Sequence, residues 1–169
     1  MKVLSIGNSF SQDAQRYLHN LGEVNGKNIK CVNLYIGGCT LRQHYLNLLD
    51  DEKSYKFEFN GSDTGIRISI REALKSDEWD YVTIQQASHQ SFDFDTYIPY
   101  IQKLKKYVLT YSPRSKIALH QTWAYPETKN RIKEVGFNST IEMYEAVREA
   151  YLEVADKQIQ LIRKVVDTV

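Results

Sequence analysis

The chain opens on a short apolar run, Val3-Leu4-Ser5-Ile6, that breaks into Gly7-Asn8-Ser9-Phe10-Ser11 before a helix-compatible segment. A run of this kind bounded by glycine reads as a buried strand, a tight turn and a helix start, with Ser9 at the turn. Ala14, Tyr17, Leu18 and Leu21 then recur at helical spacing, which predicts one amphipathic helix closing at Gly22 or Gly26. Asn28 to Ile36 predicts a second strand ending at Gly37-Gly38, followed by a short helix around Leu41 to Leu49. Tyr55-Lys56-Phe57-Glu58-Phe59 alternates with a period of two, and Asn60-Gly61 precedes Ile66 and Ile68. A small antiparallel hairpin, inserted as an edge or lid element, is expected there.

Ser69 to Lys75 reads as helix, and Tyr81 to Ile84 as a third apolar strand closing on Gln85-Gln86-Ala87-Ser88-His89. A helix from about Asp95 to Tyr111 stops before Pro113. Lys116 to Leu119 is the fourth strand, running into His120-Gln121-Thr122-Trp123-Ala124-Tyr125-Pro126. From Thr140 the chain reads as one long helix capped by Asn138-Ser139-Thr140, with Glu142 nearby. Its predicted apolar side is Ile141, Tyr144, Val147, Tyr151, Val154, Ile159 and Ile162, opposite a charged, solvated face.

Strands alternating with helices predict an α/β fold with a mostly parallel sheet. The four strands end at Ser9, Gly38, Ser88 and His120, and in an open parallel sheet those carboxyl ends share one rim, where ligands bind. A serine between a strand and a helix faces unpaired backbone N–H groups that can stabilise an oxyanion, which makes Ser9 a candidate nucleophile. A phosphate-binding or purely helix-capping turn has the same local pattern.

With 169 residues the chain suits one domain, 1–169. Its 22 basic and 21 acidic residues nearly cancel, which argues against nucleic-acid and anionic-membrane partners and for a small neutral or weakly charged substrate. Cys31 and Cys39 lack zinc-type spacing with the four histidines, so no metal or cofactor is expected, and free thiols are expected with a disulfide left open. No stretch approaches a transmembrane helix, and no leader pattern precedes the first strand. The expected location is the cytoplasm, or the periplasm or exterior if a leader was removed. Nucleotide binding at Gly7 is disfavoured, because neither the Gly-x-Gly-x-x-Gly nor the Lys-containing phosphate-loop pattern occurs.

Together these blocks resemble the SGNH or GDSL hydrolases, serine esterases and acetylhydrolases on a flavodoxin-like three-layer α/β/α fold. Gly7-Asn8-Ser9 is similar to the first block, Gly-Asp-Ser, with Asn in place of Asp, and Ser9 falls on the nucleophile. Tyr35-Ile36-Gly37-Gly38-Cys39-Thr40 resembles the second block, in which a glycine, here Gly38, offers its N–H to the oxyanion hole beside that of Ser9. Asp80 to His89 occupies the place of the third block, where register puts Ser88 on the oxyanion-hole Asn. A hydroxyl is shorter than an amide, and Gln86 is the alternative donor. The combination with His-Gln-Thr-Trp-Ala-Tyr is similar to a bacterial branch of the superfamily.

The family places its general base in a late Asp-x-x-His motif, and this sequence has no histidine after His120. It reads as a C-terminally shortened member whose last strand and helix are missing, with apolar surface at the end of the final helix favouring self-association. The resemblance implies a serine esterase for small acyl esters, O-acetylated carbohydrates among them, weak or inactive without the base. The competing reading is a non-catalytic carbohydrate or small-ligand binding domain. His89 and His120 follow predicted strands and are candidates for substrate contact or a substitute base, whereas His19 and His44 read as surface residues. Trp123, Tyr125 and Phe92 are candidates for an aromatic platform, and Trp79 reads as core.

Overall fold

The computed structural model describes residues 1–128 and 130–158. Six strands, β1 (Lys2–Gly7), β2 (Lys30–Tyr35), β3 (Tyr55–Phe59), β4 (Ser62–Ile68), β5 (Tyr81–Ile84) and β6 (Lys116–Leu119), form one sheet in the order β4-β3-β2-β1-β5-β6. The pairs β2–β1, β1–β5 and β5–β6 are parallel, while β3 and β4 add antiparallel. The expected hairpin is therefore an edge of the main sheet, not a lid. Its Asn60-Gly61 turn has positive φ at both residues (48° and 83°), the twist a two-residue hairpin needs.

Helices α1 (Ser9–Gln15), α2 (Leu18–Val24), α3 (Leu41–Leu49), α4 (Ile70–Lys75), α5 (Tyr100–Tyr111), α6 (Arg131–Glu134) and α7 (Thr140–Gln158) complete the described chain. Alternation along the strands sorts side chains onto two unlike faces. Leu4, Ile6, Val32, Leu34, Val82, Ile84 and Ile117 form an apolar face, in one core with Leu41, Leu74, Leu104, Val147 and Val154 of the helices. Trp79 joins this core as expected, its indole N–H donating to the Ala73 carbonyl at 3.0 Å. No helix among the described residues is long and apolar enough to cross a membrane.

The opposite face is polar under α1. Ser5, Asn33 and Thr83 stand side by side on β1, β2 and β5. Thr83 Oγ1 donates to Ser5 Oγ (2.7 Å), Gln15 Nε2 donates to the same oxygen, and Ser11 Oγ sits 2.7 Å from Asn33 Oδ1. The buried carboxylate of Glu58 accepts from Asn33 Nδ2 (2.7 Å) and from Gln12 Nε2. This layer corrects the expected first helix. The segment is two helices, α1 buries Ser11 and Gln15, and the apolar stripe faces solvent, with Tyr17 61% and Leu21 59% exposed. Buried polar groups are retained only where they find partners, and here the sheet provides them.

Two further boundaries differ. The helix expected from Asp95 is a 3₁₀ turn at Phe94–Tyr97 followed by α5, because Pro99 pushes Ile98 into extended backbone (φ −97°, ψ 134°). In α7 the buried side is Met143, Val147, Ala150, Tyr151 and Val154, whereas Ile141 and Tyr144 are exposed. The cap forms as expected: Glu142 N–H donates to Ser139 Oγ (3.1 Å) and Asn138 N–H to Glu142 Oε2 (2.9 Å). Ile159, Ile162 and the expected approach to a further strand lie outside the described residues.

Candidate active site

Ser9 is the first residue of α1 and is exposed, directly after the carboxyl end of β1. Asn8 caps the helix from extended backbone, its Oδ1 accepting the Phe10 N–H at 3.2 Å. The Ser11 N–H donates to Gln85 Oε1 at 3.2 Å. Among the described residues no acceptor takes the Ser9 N–H, so one unpaired donor of the first turn stands at the serine itself.

Gly38 lies at the end of β2 in a turn closed by Cys39 N–H donating to the Ile36 carbonyl (3.2 Å). Its φ of +63° is the left-handed conformation that glycine adopts without a Cβ penalty. Among the described residues the Gly38 N–H also has no acceptor. Asn8 joins the three segments of the rim: its Nδ2 donates to the carbonyls of Cys39 (3.3 Å) and Gln86 (3.4 Å). This is the reason an amide suits the position, since a carboxylate has no hydrogen to offer two carbonyls.

Gln86 was expected as an alternative oxyanion donor, and its amide is committed elsewhere. Nε2 donates to Thr96 O (3.2 Å) and Thr96 Oγ1 (3.1 Å), while Oε1 accepts from the N–H groups of Leu41 (3.0 Å) and Ala87 (2.9 Å). The side chain is buried and acts as a clamp between loops. Ser88 Oγ lies 2.6 Å from the Tyr125 hydroxyl, which brings two of the candidates together. Trp123 packs instead on Phe10, the residue after Ser9, with ring centroids 4.2 Å apart and planes tilted by 57°. Phe92 pairs edge-on with Phe137 at 4.9 Å, so it anchors a loop rather than the platform.

His89 and His120 are half-buried beyond β5 and β6, and neither ring is hydrogen-bonded to Ser9 among the described residues. Burial lowers the His120 pKa, which keeps its imidazole neutral near pH 7. His19 stays near the surface as expected, its Nδ1 2.7 Å from the Ile29 carbonyl. His44, expected at the surface, is wholly buried. Its Nδ1 lies 2.8 Å from the Tyr55 hydroxyl and 3.4 Å from Cys39 Sγ, and among the described residues its Nε2 has no partner. Burial pushes its pKa down to about 3 and that of the Cys39 thiol up to about 12, so both are uncharged. Cys31 and Cys39 are free and buried.

Among the described residues no group of three or more His, Cys, Asp or Glu side chains is placed to hold a metal ion. A groove of about 500 Å³ along α5, lined by Lys106 and Leu109, lies away from the rim. The Asn8 bonds to the Cys39 and Gln86 carbonyls and the packing of Phe10 on Trp123 were not foreseeable from the amino-acid sequence. Asn8 was marked by its place in the Gly7-Asn8-Ser9 block, and Phe10 only by following Ser9.

The family described as "Domain of unknown function (DUF4886)" matches residues 2–167. The chain belongs to the DUF4886 family. A solved DUF4886 protein from Bacteroides uniformis is 33% identical with a TM-score of 0.86, over 95% of this chain and 64% of that one. The DUF4886 chain therefore spans less than two thirds of that relative's length. A protein from Slackia heliotrinireducens assigned to the SGNH hydrolases is 18% identical (TM-score 0.62), over 94% of this chain and 75% of that one. A family 3 carbohydrate esterase from Clostridium thermocellum is 11% identical (TM-score 0.52), with 94% and 75% covered. At these identities the likeness establishes the fold, and the DUF4886 chain has the SGNH-hydrolase-like α/β architecture. No curated protein matches it.

Proposed function

We propose that this DUF4886 domain is an SGNH-type serine esterase for small acyl esters, O-acetylated carbohydrates among them. The observation that supports this best is the pairing of an exposed Ser9 with unpaired N–H groups at Ser9 and Gly38, on segments joined by the Asn8 amide. Ser9 Oγ attacks the acyl carbon, and the carbonyl oxygen becomes an oxyanion facing the two N–H groups. Collapse breaks the ester C–O bond, releases the alcohol and leaves an acyl-serine that water hydrolyses. Ser88, held by Tyr125, is the third candidate contact to the oxyanion. Among the described residues His89 and His120 are the rim histidines and neither is bonded to Ser9, so the serine proton passes to solvent water, which returns a proton to the departing alkoxide.

The test is labelling with a fluorophosphonate and hydrolysis of an aryl acetate, with and without added imidazole as an external base. One label per chain on Ser9, an imidazole-dependent rise in rate, and loss of both in Ser9→Ala are expected. The drop in rate should be at least on the order of a hundredfold. Equal turnover by Ser9→Ala would refute the assignment, and saturable sugar binding without any acylation would favour a non-catalytic binding domain.

A further inference from the structure

Trp123 is 50% exposed, whereas Trp79 is 2% exposed and packed in the core. Leaving half an indole in water forgoes hydrophobic stabilisation, and a flexible loop would turn the ring inward if it could. This ring is held outward from both sides. Before it, the buried Thr122 donates from Oγ1 to Ser91 Oγ at 2.8 Å. After it, Tyr125 is fixed by three bonds: its hydroxyl to Ser88 Oγ (2.6 Å), its N–H to Met143 Sδ (3.3 Å) and its carbonyl to Thr140 Oγ1 (2.9 Å). Beneath it lies the Phe10 ring, 4.2 Å away between centroids.

The result is a preorganised aromatic face packed on Phe10, the residue that follows the candidate nucleophile. Its chain neighbours Gln121, Thr122 and Ala124 are uncharged, as is Ser9, the residue before Phe10. A flat aromatic face among neutral hydroxyl and amide groups matches the apolar C–H face of a pyranose ring with hydroxyls at its edge. A long acyl chain requires enclosure on several sides, which a half-exposed ring does not offer.

We propose that Trp123, propped on Phe10, is the subsite for the alcohol side of the ester: it stacks the pyranose ring of an O-acylated sugar and so presents the acyl carbonyl to Ser9. This proposal rests on the esterase reading above for its orientation, and its binding component can be measured without any chemistry. In the Ser9→Ala background, glucose pentaacetate is titrated by calorimetry and by indole fluorescence, with ethyl acetate as the ester lacking a sugar ring. Saturable binding of the sugar ester is expected. Trp123→Ala should weaken it by about tenfold, with Trp123→Phe recovering most of the loss. Thermal melts verify that both variants remain folded.

Unchanged binding in a folded Trp123→Ala chain would overturn the proposal, as would equal weakening for ethyl acetate. If sugar binding depends on Trp123 while fluorophosphonate never labels Ser9, the esterase reading fails and the subsite stands. If Ser9 labels and binding ignores Trp123, the subsite fails alone.

Discussion

Acidification places a proton demand on His44, whose ring is wholly buried and whose pKa burial holds at about 3. The groups facing it are the neutral Cys39 thiol and the Tyr55 hydroxyl, itself bonded to Asn47, so among the described residues no carboxylate is bonded to a buried imidazolium there. In the unfolded chain the same ring takes up a proton near pH 6.5. Between pH 6.5 and pH 3 the unfolded state therefore binds more protons than the native state, and stability falls as pH falls. The slope approaches about 1.4 kcal/mol per pH unit, so the full window is worth on the order of 5 kcal/mol. His120, also shifted down by burial, adds a contribution of the same sign. Urea unfolding between pH 4.5 and 7 on the parent and on His44→Leu separates the two, because His120 is common to both. The carboxylates of Asp51, Asp63, Glu72 and Asp77 are held below their usual pKa by hydrogen bonds and neighbouring cations, and they too are common to both proteins. The parent should lose more stability on acidification than His44→Leu, by roughly 2 kcal/mol between pH 6.5 and 4.5. Parallel pH profiles for the two proteins would refute the reasoning.

Asn8→Asp replaces the donor to the Cys39 and Gln86 carbonyls with a carboxylate, and a loss of roughly 2–4 kcal/mol at pH 7 is expected in urea melts. Burial raises the folded-state pKa of the new acid, so the loss should shrink as pH falls through that pKa. A loss independent of pH would count against the carbonyl contacts. Gln86→Leu strands the N–H groups of Leu41 and Ala87, and should cost about 2–4 kcal/mol by the same measurement. Cys31 and Cys39 are buried with thiol pKa values raised to about 11 and about 12, so an aromatic disulfide reagent at pH 8 should react with neither until the chain unfolds, and with both in urea.

The strand–turn–helix rhythm, the Asn60-Gly61 hairpin and the convergence of Ser9, Gly38, Ser88 and His120 on one rim were legible in the amino-acid sequence. Each depends on local signals: apolar runs, periodicity, and glycine or proline where the chain must turn. The positions of Ser9 at a helix start and Gly38 beyond a strand end were legible too, because such boundaries carry local signals. What only the tertiary structure decided is which face each element buries and what each polar side chain meets. The first helix turned its apolar stripe outward because Ser5, Asn33 and Glu58, from three different strands, present partners for Ser11, Gln12 and Gln15. His44 moved from the surface to the interior because Cys39 and Tyr55 close over it. Gln86 became a clamp and Asn8 a joint through bonds to residues up to 78 positions away. Local periodicity records an element's own pattern, whereas a buried polar group is stabilised by partners that only the folded topology brings within reach.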